Sequence, residues 1–353
     1  MGDPLLRNCV MNRKLLVITL AIILLVVGAC WLTKGRGRGT APSPDPHSGP
    51  EMYPPRVVRN LIVKNYQVTG ENETVYDRVP QRVLAVGENI NETLVALGAE
   101  DKVICPVRYG NPYYVPEPEY AERYNRIRFQ KDTILNPETV LALSPDLIVS
   151  GQSLFTEKRL KSTEFWNNRG IHTFLPRNAN RPALRTQRET LEKEYDFILG
   201  LGIIFNKEAK ARKLVEDMER TIDSVRIQSQ GRLKPKVLII EQLGKNLITY
   251  DDTKLAGDIC TRLGAVVPNS PSGTIGIEYL LQEDPDIIFV VKSGGDPEEA
   301  ADYFRNMRSL QTLKAVRNKR VAGIALNYTY NSAIKTGAAI KKFAKGIYPD
   351  LKV

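Results

Sequence analysis

The chain predicts an α/β fold built as two similar lobes. Three observations predict it. First, one short unit occurs twice: a glutamate followed seven residues later by Pro-Asp and then by an apolar run, at Glu138 with Pro145-Asp146 and at Glu278 with Pro285-Asp286. Second, apolar runs without polar alternation recur at residues 82–86, 147–150, 236–241 and 287–291. Such runs fit strands covered on both faces, as in parallel sheets. Third, the stretches between them carry apolar residues at helical spacing, clearest at Leu214, Val215, Met218, Ile222 and Val225.

The repeated unit has a physical logic. The glutamate sits in the first turn of a short helix, where a carboxylate suits the positive end of the helix dipole. Pro-Asp stops that helix, since the residue before a proline is pushed out of the α region. A chain of 353 residues is long enough for two domains of ordinary size. Two copies of the unit then give two lobes, each presenting one carboxylate.

Composition narrows the function classes. Apolar content of 42% and charged content of 25% describe a globular chain rather than a disordered one. The formal charge of +10 is scattered, with no basic helix or aromatic–basic cluster, so no nucleic-acid partner is expected. The four cysteines, Cys9, Cys30, Cys105 and Cys260, lack CxxC spacing, and the two histidines are His47 and His172. A zinc site is therefore not expected. Cys105 and Cys260 fall in different lobes and are expected as buried free thiols.

The N-terminus has the plan of an export segment. Arg13 and Lys14 precede an apolar run over residues 15–29 that ends Val27-Gly28-Ala29-Cys30. Small residues directly before a cysteine resemble the lipobox of bacterial lipoproteins. The resemblance implies that Cys30 is lipid-modified and begins the mature chain, although bulky Trp31 departs from the usual pattern. An uncleaved anchor helix is the alternative, because residues 15–32 border on spanning length. Met11 is a second candidate start. The expected organisation is a signal over 1–30, a tether over 31–55 rich in Gly, Pro and Ser, a first α/β lobe over 56–185, a helical segment over 186–232 and a second lobe over 233–353. His47 falls in the tether.

Within the first lobe, residues 57–67 and 73–79 predict two strands around a turn at Thr69-Gly70-Glu71-Asn72. Strands follow at 82–86, 102–106, 147–150 and 172–175. Helices are expected at 90–97, closed by Gly98, and at 155–169. The longest helical patterns are 186–200 and 206–228. The second lobe repeats the plan, with strands at 236–241, 287–291 and 320–326. Its helices are expected at 255–263, after Asp296-Pro297, and at 333–347.

At this point the residues resemble a family. Arg82-Val-Leu-Ala-Val, Glu92-Thr-Leu-Val-Ala-Leu-Gly98, the two Glu-to-Pro-Asp units, Thr190-Leu-Glu with Leu201-Gly202, and the ending from Ala339 to Tyr348-Pro349 together resemble the substrate-binding proteins of ABC importers for iron-siderophores, haem and cobalamin. The resemblance covers residues 57–353. It implies two Rossmann-like lobes with mainly parallel sheets joined by one long rigid helix, the class III periplasmic-binding architecture, with 206–228 as the candidate helix. It also implies an extracytoplasmic, membrane-anchored monomer whose partner is a permease dimer with its ATPase. Glu138 and Glu278 match the family's two acidic positions, which dock on arginines of the permease. Two exposed carboxylates, one per lobe, would register both lobes by charge complementarity.

In open α/β folds, ligands sit beyond the carboxyl ends of the strands. That rule selects Glu88, Asn89, Arg108, Tyr109, Gln152, Arg177, Lys292, Ser293, Asn327, Tyr328 and Tyr330 as candidate ligand contacts. Arg181, Arg185, Arg188, Asn111, Tyr113 and Tyr114 lie nearby in sequence. Arginines and tyrosines fit a sizeable anionic chelate, a ferric siderophore first, then haem, then cobalamin. Tyr109 and Tyr328 are the candidates for haem iron. No free metal site is expected, because the exit loops lack a His/Asp/Glu cluster, and no resident cofactor is expected, because the metal arrives as part of the ligand. Two alternatives stand beside this one. A cofactor-assembly enzyme on a related scaffold lacks a P-loop, a Gly-x-Ser-x-Gly motif and spare cysteines here. A surface sensor module would keep ligand binding without transport.

Overall fold

Alternating residues over the first described stretch make a hairpin. Strands β1 (Arg56–Lys64) and β2 (Gln67–Tyr76) pair antiparallel. The computed structural model describes residues 53–109, 113–178, 188–270, 274–330 and 332–353. The signal, Cys30, His47, Asn111, Arg181 and Arg185 lie outside the described residues. The hairpin turns at Asn65-Tyr66, both at positive φ (48° and 67°), the geometry that matches strand twist. This corrects the turn expected at residues 69–72. Ile62 pairs with Gly70 and Val63 with Val68, so Thr69 is a bulge inside β2.

Two sheets form the frame. The first holds β3 (Val83–Val86), β4 (Val103–Val107), β5 (Leu147–Val149) and β6 (His172–Phe174), all parallel, in the order β4-β3-β5-β6. The second holds β7 (Val237–Leu243), β8 (Asn246–Thr249), β9 (Thr274–Ile275), β10 (Ile287–Lys292) and β11 (Val321–Ala325), in the order β11-β10-β7-β8-β9. Strands β11, β10 and β7 run parallel, while β8 and β9 add antiparallel. The sequence does not predict these two added strands. The chain reverses into β8 at Gly244, whose φ of 62° suits glycine.

The helices of the first half are α1 (Glu88–Leu97), α2 (Pro118–Tyr124), α3 (Pro137–Leu143) and α4 (Thr163–Asn167). Two long ones follow, α5 (Leu191–Ile204) and α6 (Glu208–Gln228). The second half has α7 (Leu255–Arg262), α8 (Ile277–Glu283), α9 (Pro297–Arg305), α10 (Lys314–Arg317) and α11 (Lys335–Ile347). The helix expected over 155–169 shrinks to α4. Lys161 takes a left-handed φ of 54°, and Ser162 restarts the chain by accepting the Phe165 N–H at 3.2 Å.

The repeated Pro-Asp has a structural cause. Each helix ends on a left-handed residue, Ser144 (φ 47°) or Asp284 (φ 41°). The aspartate after the proline then clamps the start of a central strand. Asp146 accepts the N–H groups of Gln81 and Arg82 at 2.7 and 2.9 Å, and its own N–H donates to the Arg82 carbonyl at 2.9 Å. Asp286 accepts the Lys236 N–H at 2.8 Å and donates back to Lys236 at 2.9 Å.

Alternate strand residues enter different cores. Leu84, Val86 and Ile148 face an outer core of the first half, with Trp166 and Phe155. Leu238, Ile240, Ile288 and Val290 face an outer core of the second half, with Phe304. Val83, Ala85, Leu147, Val149, Val237, Ile239, Ile287 and Phe289 all face one central core shared by both sheets. Helices α1, α5, α6, α7 and α11 fill that layer. The two halves are thus packed through a common apolar interior, and residues 53–353 form one compact unit.

Both long helices reach from one half to the other. At the start of α6, Glu208 pairs with Arg56 at 2.8 Å; at its end, Gln228 Nε2 donates to the Lys352 carbonyl at 3.0 Å. Helix α5 runs the opposite way. Its Leu191 N–H donates to Asp258 at 2.9 Å, and its last carbonyls, Ile203 and Ile204, accept the Tyr53 hydroxyl at 3.2 Å. Sequence patterning singles out only 206–228 as a bridge, because α5 is apolar on most of its surface and shows no one-sided stripe.

Candidate functional site

The turn from β3 into α1 starts the site. Gly87, at φ 113°, donates its N–H to the Val107 carbonyl at 2.9 Å. Buried Asn91 ties the same turn from behind, donating to the carbonyls of Ala85 and Gly87 at 3.1 and 2.8 Å. The helix therefore begins at once, two residues earlier than residues 90–97 suggest. Its first residues, Glu88 and Asn89, are delivered to the carboxyl edge of the sheet.

A cavity of about 150 Å³ lies there. The first half contributes Glu88, Asn89, Tyr109, Tyr114, Ser153 and Pro176; the second contributes Leu326, Asn327 and Tyr330. These come from the exits of β3, β4, β5, β6 and β11, as expected for ligand sites of open α/β sheets. Glu88 is only 3% exposed and accepts the Tyr109 N–H at 3.2 Å. Burial, with the carboxylates of Glu241 and Glu88 and the neighbouring Tyr109, pushes the Tyr330 phenol up. Tyrosines 109, 114 and 330 give the cavity flat apolar walls with polar tips.

Five sequence-selected residues therefore meet at one cavity: Glu88, Asn89, Tyr109, Asn327 and Tyr330. The others take different places. The Arg108 guanidinium lies 4.8 Å from the Phe129 ring centroid. Arg177 pairs with Glu71, and Lys292 pairs with Glu299 at 2.7 Å. Buried Gln152 donates to the Pro176 carbonyl at 3.0 Å, tying the exits of β5 and β6 together. Ser293 is exposed. Its neighbour Gly294 lies so close to Tyr113 that an added Cβ would stand 2.6 Å from the ring, so this loop touches the opposite half.

Tyr328 turns away from the cavity into a polar cluster. Its hydroxyl donates to Glu117 at 2.9 Å. Lys335, at the start of α11, donates to Glu117 at 2.6 Å and to the Val115 carbonyl at 2.5 Å, and stands 3.5 Å from Glu92. The Lys335 and Glu92 side chains are fully buried. Burial raises the Glu92 carboxyl, opposed by Lys335 and by the Tyr114 hydroxyl. This cluster joins the two halves behind the cavity. Sequence reasoning misses it, although charges at 92 and 335 inside otherwise apolar helical stretches are a signal of it.

Glu138 and Glu278 each occupy the second position of a short helix, α3 or α8, and both are exposed. Asn136 caps α3 by accepting the Thr139 N–H at 2.9 Å. At the matching place before α8 stands Gly276, where a Cβ would lie 2.3 Å from the Glu278 carboxylate. Glycine there lets that carboxylate fold back over the backbone. Cys105 and Cys260 are buried free thiols, and burial pushes both up.

Comparison with known proteins agrees with this architecture. Residues 83–326 match the family described as periplasmic binding protein. A periplasmic binding protein from Veillonella parvula has 31% identity and a TM-score of 0.76, over 84% of this chain and 92% of that one. An Fe3+-hydroxamate transport protein of ABC type from Saccharomonospora viridis shares the fold at 18% identity and a TM-score of 0.59, over 82% and 99%. The periplasmic vitamin B12 binding protein of Vibrio cholerae does so at 18% identity and 0.53, over 76% and 96%. No curated protein matches the chain. With residues 83–326 matched by the family and 84% of its length covered by a solved structure at 31% identity, the chain belongs to the periplasmic binding proteins, the non-enzymatic substrate-binding components of ABC importers.

Proposed function

We propose that this protein is the extracytoplasmic, membrane-tethered binding component of an importer for a metal chelate. The ligand class is a ferric siderophore first, with haem and cobalamin as the other members. The chelate is held at the cavity between the halves, and Glu138 and Glu278 present the loaded protein to the permease dimer. Tethering is through lipid-modified Cys30 or a retained N-terminal helix.

One observation carries this reading: a cavity lined from the carboxyl ends of strands in both sheets, with tyrosines and amides around it. Pockets for drug-sized ligands run to roughly 300–1,000 Å³, so a cavity of about 150 Å³ takes one end of a chelate while the remainder lies at the mouth. Titrating the protein with ferric siderophores, haem and cobalamin, followed by tyrosine and tryptophan fluorescence, tests it. Saturable quenching by one class supports the proposal; silence with all three refutes it.

Docking is tested separately in cells. Glu138→Ala with Glu278→Ala is expected to abolish uptake while chelate affinity in vitro stays within about twofold, as exposed carboxylates contribute little to the fold. Normal uptake by this double variant would rule out the docking role and favour a sensor module.

A further inference from the structure

We propose that each half docks through a leucine as well as a glutamate, with Leu141 and Leu281 seated in two equivalent apolar pockets of the permease dimer. This rests on the binding-protein reading and deepens it by naming the apolar part of the docking surface. Residues 137–146 and 277–286 align one for one. The identical pairs are Glu138 with Glu278, Leu141 with Leu281, Pro145 with Pro285 and Asp146 with Asp286. Pro-Asp serves the strand clamp. The leucines serve no core: Leu141 is 39% exposed and Leu281 40% exposed.

Other residues fasten these helices. Val140 and Leu280, one position earlier, are fully buried and join α3 and α8 to the outer core of each half. At the far end a basic side chain clamps each helix. Arg82 donates to the Leu143 and Ser144 carbonyls at 2.7 and 2.9 Å, and Lys236 donates to the Glu283 carbonyl at 2.8 Å. Arg82 and Lys236 are also the residues whose N–H groups Asp146 and Asp286 accept. Matching helices are thus fixed in the same way to matching strands, β3 and β7. Residues three apart share a helix face, so Leu141 stands beside Glu138 and Leu281 beside Glu278. Both glutamates are exposed.

Single apolar side chains are normal on protein surfaces and mean little one at a time. What sets these two apart is repetition. The same acid–leucine pair stands once on each half, at the same place on the same short helix. Other positions on the two helices differ: Thr139 matches Tyr279, and Ala142 matches Gln282. A face presented twice fits a partner with two equivalent sockets, as a two-fold permease dimer has by symmetry. Each socket would offer a cation to the glutamate and an apolar hollow to the leucine. The two side chains then divide the work. Exposed carboxylates steer and orient a partner but hold it weakly. A leucine buried on contact adds affinity that salt does not screen.

The test uses the full chain in host cells that lack the parent gene. Leu141→Ser and Leu281→Ser are introduced singly and together. Uptake is followed with radiolabelled ferrioxamine B, ferric tris-catecholate, haem and cobalamin, each offered at limiting concentration. Each single variant is expected to lower uptake roughly tenfold, the effect of one leucine left unburied on docking. Leu141→Met and Leu281→Met, which stay apolar, are expected to restore it. Melting curves and chelate affinities of the purified variants should match the parent; where a serine variant melts lower, Leu141→Gln and Leu281→Gln replace it. Uptake within twofold of the parent in the double serine variant, while Glu138→Ala with Glu278→Ala abolishes it, overturns the leucine contact and leaves docking by charge alone. A dimer of the parent protein in sedimentation that the double serine variant loses would assign the leucines to self-association and also overturn the proposal. Normal uptake by the glutamate variant removes docking through these helices altogether, and uptake of none of the four by the parent removes the importer reading itself.

Discussion

Replacing Lys335 with Met removes the buried cation of the cluster that joins the two halves. The parent lysine is fully buried, as is the Glu92 side chain, and the Glu117 side chain is 18% exposed. Met keeps the aliphatic volume and deletes the charge and two strong hydrogen bonds, to Glu117 and to the Val115 carbonyl. Breaking a buried pair by removing one partner costs about 3–5 kcal/mol, because the other charge is left in low dielectric. At about 2 °C per kcal/mol for a unit of this size, the melting temperature should fall by roughly 6–10 °C. Glu92 partly escapes by taking up a proton, since burial already raises its carboxyl. The loss should therefore be smaller at acid pH than at neutral pH. Adding Glu92→Gln and Glu117→Gln to Lys335→Met removes the stranded charges and should recover most of the stability. Differential scanning calorimetry of the single and triple variants measures all of this. A single variant melting within about 2 °C of the parent at neutral pH would refute the cluster as a joint between the halves.

Two further outcomes follow from named bonds. Glu194 is fully buried, accepts Asn178 Nδ2 at 2.6 Å and the Ala333 N–H at 2.5 Å, and has its carboxyl pushed up to about 7 from 4.5, chiefly by burial. A folded-state value above the unfolded one gives stability that is complete below about pH 4.5 and lost as pH rises to about 7. That component is worth up to about 3 kcal/mol; in Glu194→Gln, urea-melt midpoints should be flatter over this window, and an unchanged slope would count against the assignment. Asp286→Ala frees the Lys236 N–H and should cost about 1.5–3 kcal/mol, with Asp146→Ala costing more because it holds two N–H groups. Equal and negligible losses in chemical denaturation would show that the aspartates do not pin β3 and β7.

The repeated unit illustrates how much of the fold lies in plain view. Glutamate, Pro-Asp and an apolar run are local features, and local backbone chemistry explains each of them. The same holds for the helix closure at Gly98, where φ is 76°. The hairpin turn is different. Both Asn65 and Gly70 carry turn chemistry, and only the pairing of β1 with β2 decides that Asn65 turns while Gly70 sits beside a bulge. Helix α5 is legible as a helix but not as a bridge, since its partners lie on two sheets that the sequence keeps far apart.

By itself the sequence determined the α/β class, the doubled plan, the strand exits where a ligand site belongs and the acid on each half. Those depend on residues within one turn or one strand of each other. Tertiary structure alone decided which of the described exit residues face the cavity. Arg177, Lys292 and Tyr328 are neutralised or turned aside by Glu71, Glu299 and Glu117. For Arg177 and Tyr328 the partner is brought close by folding from a distant part of the chain, and long side chains settle on whichever opposite charge packing puts within reach. Glu88 keeps its place for the opposite reason: a short side chain on the first residue of a buried helix goes where the backbone puts it.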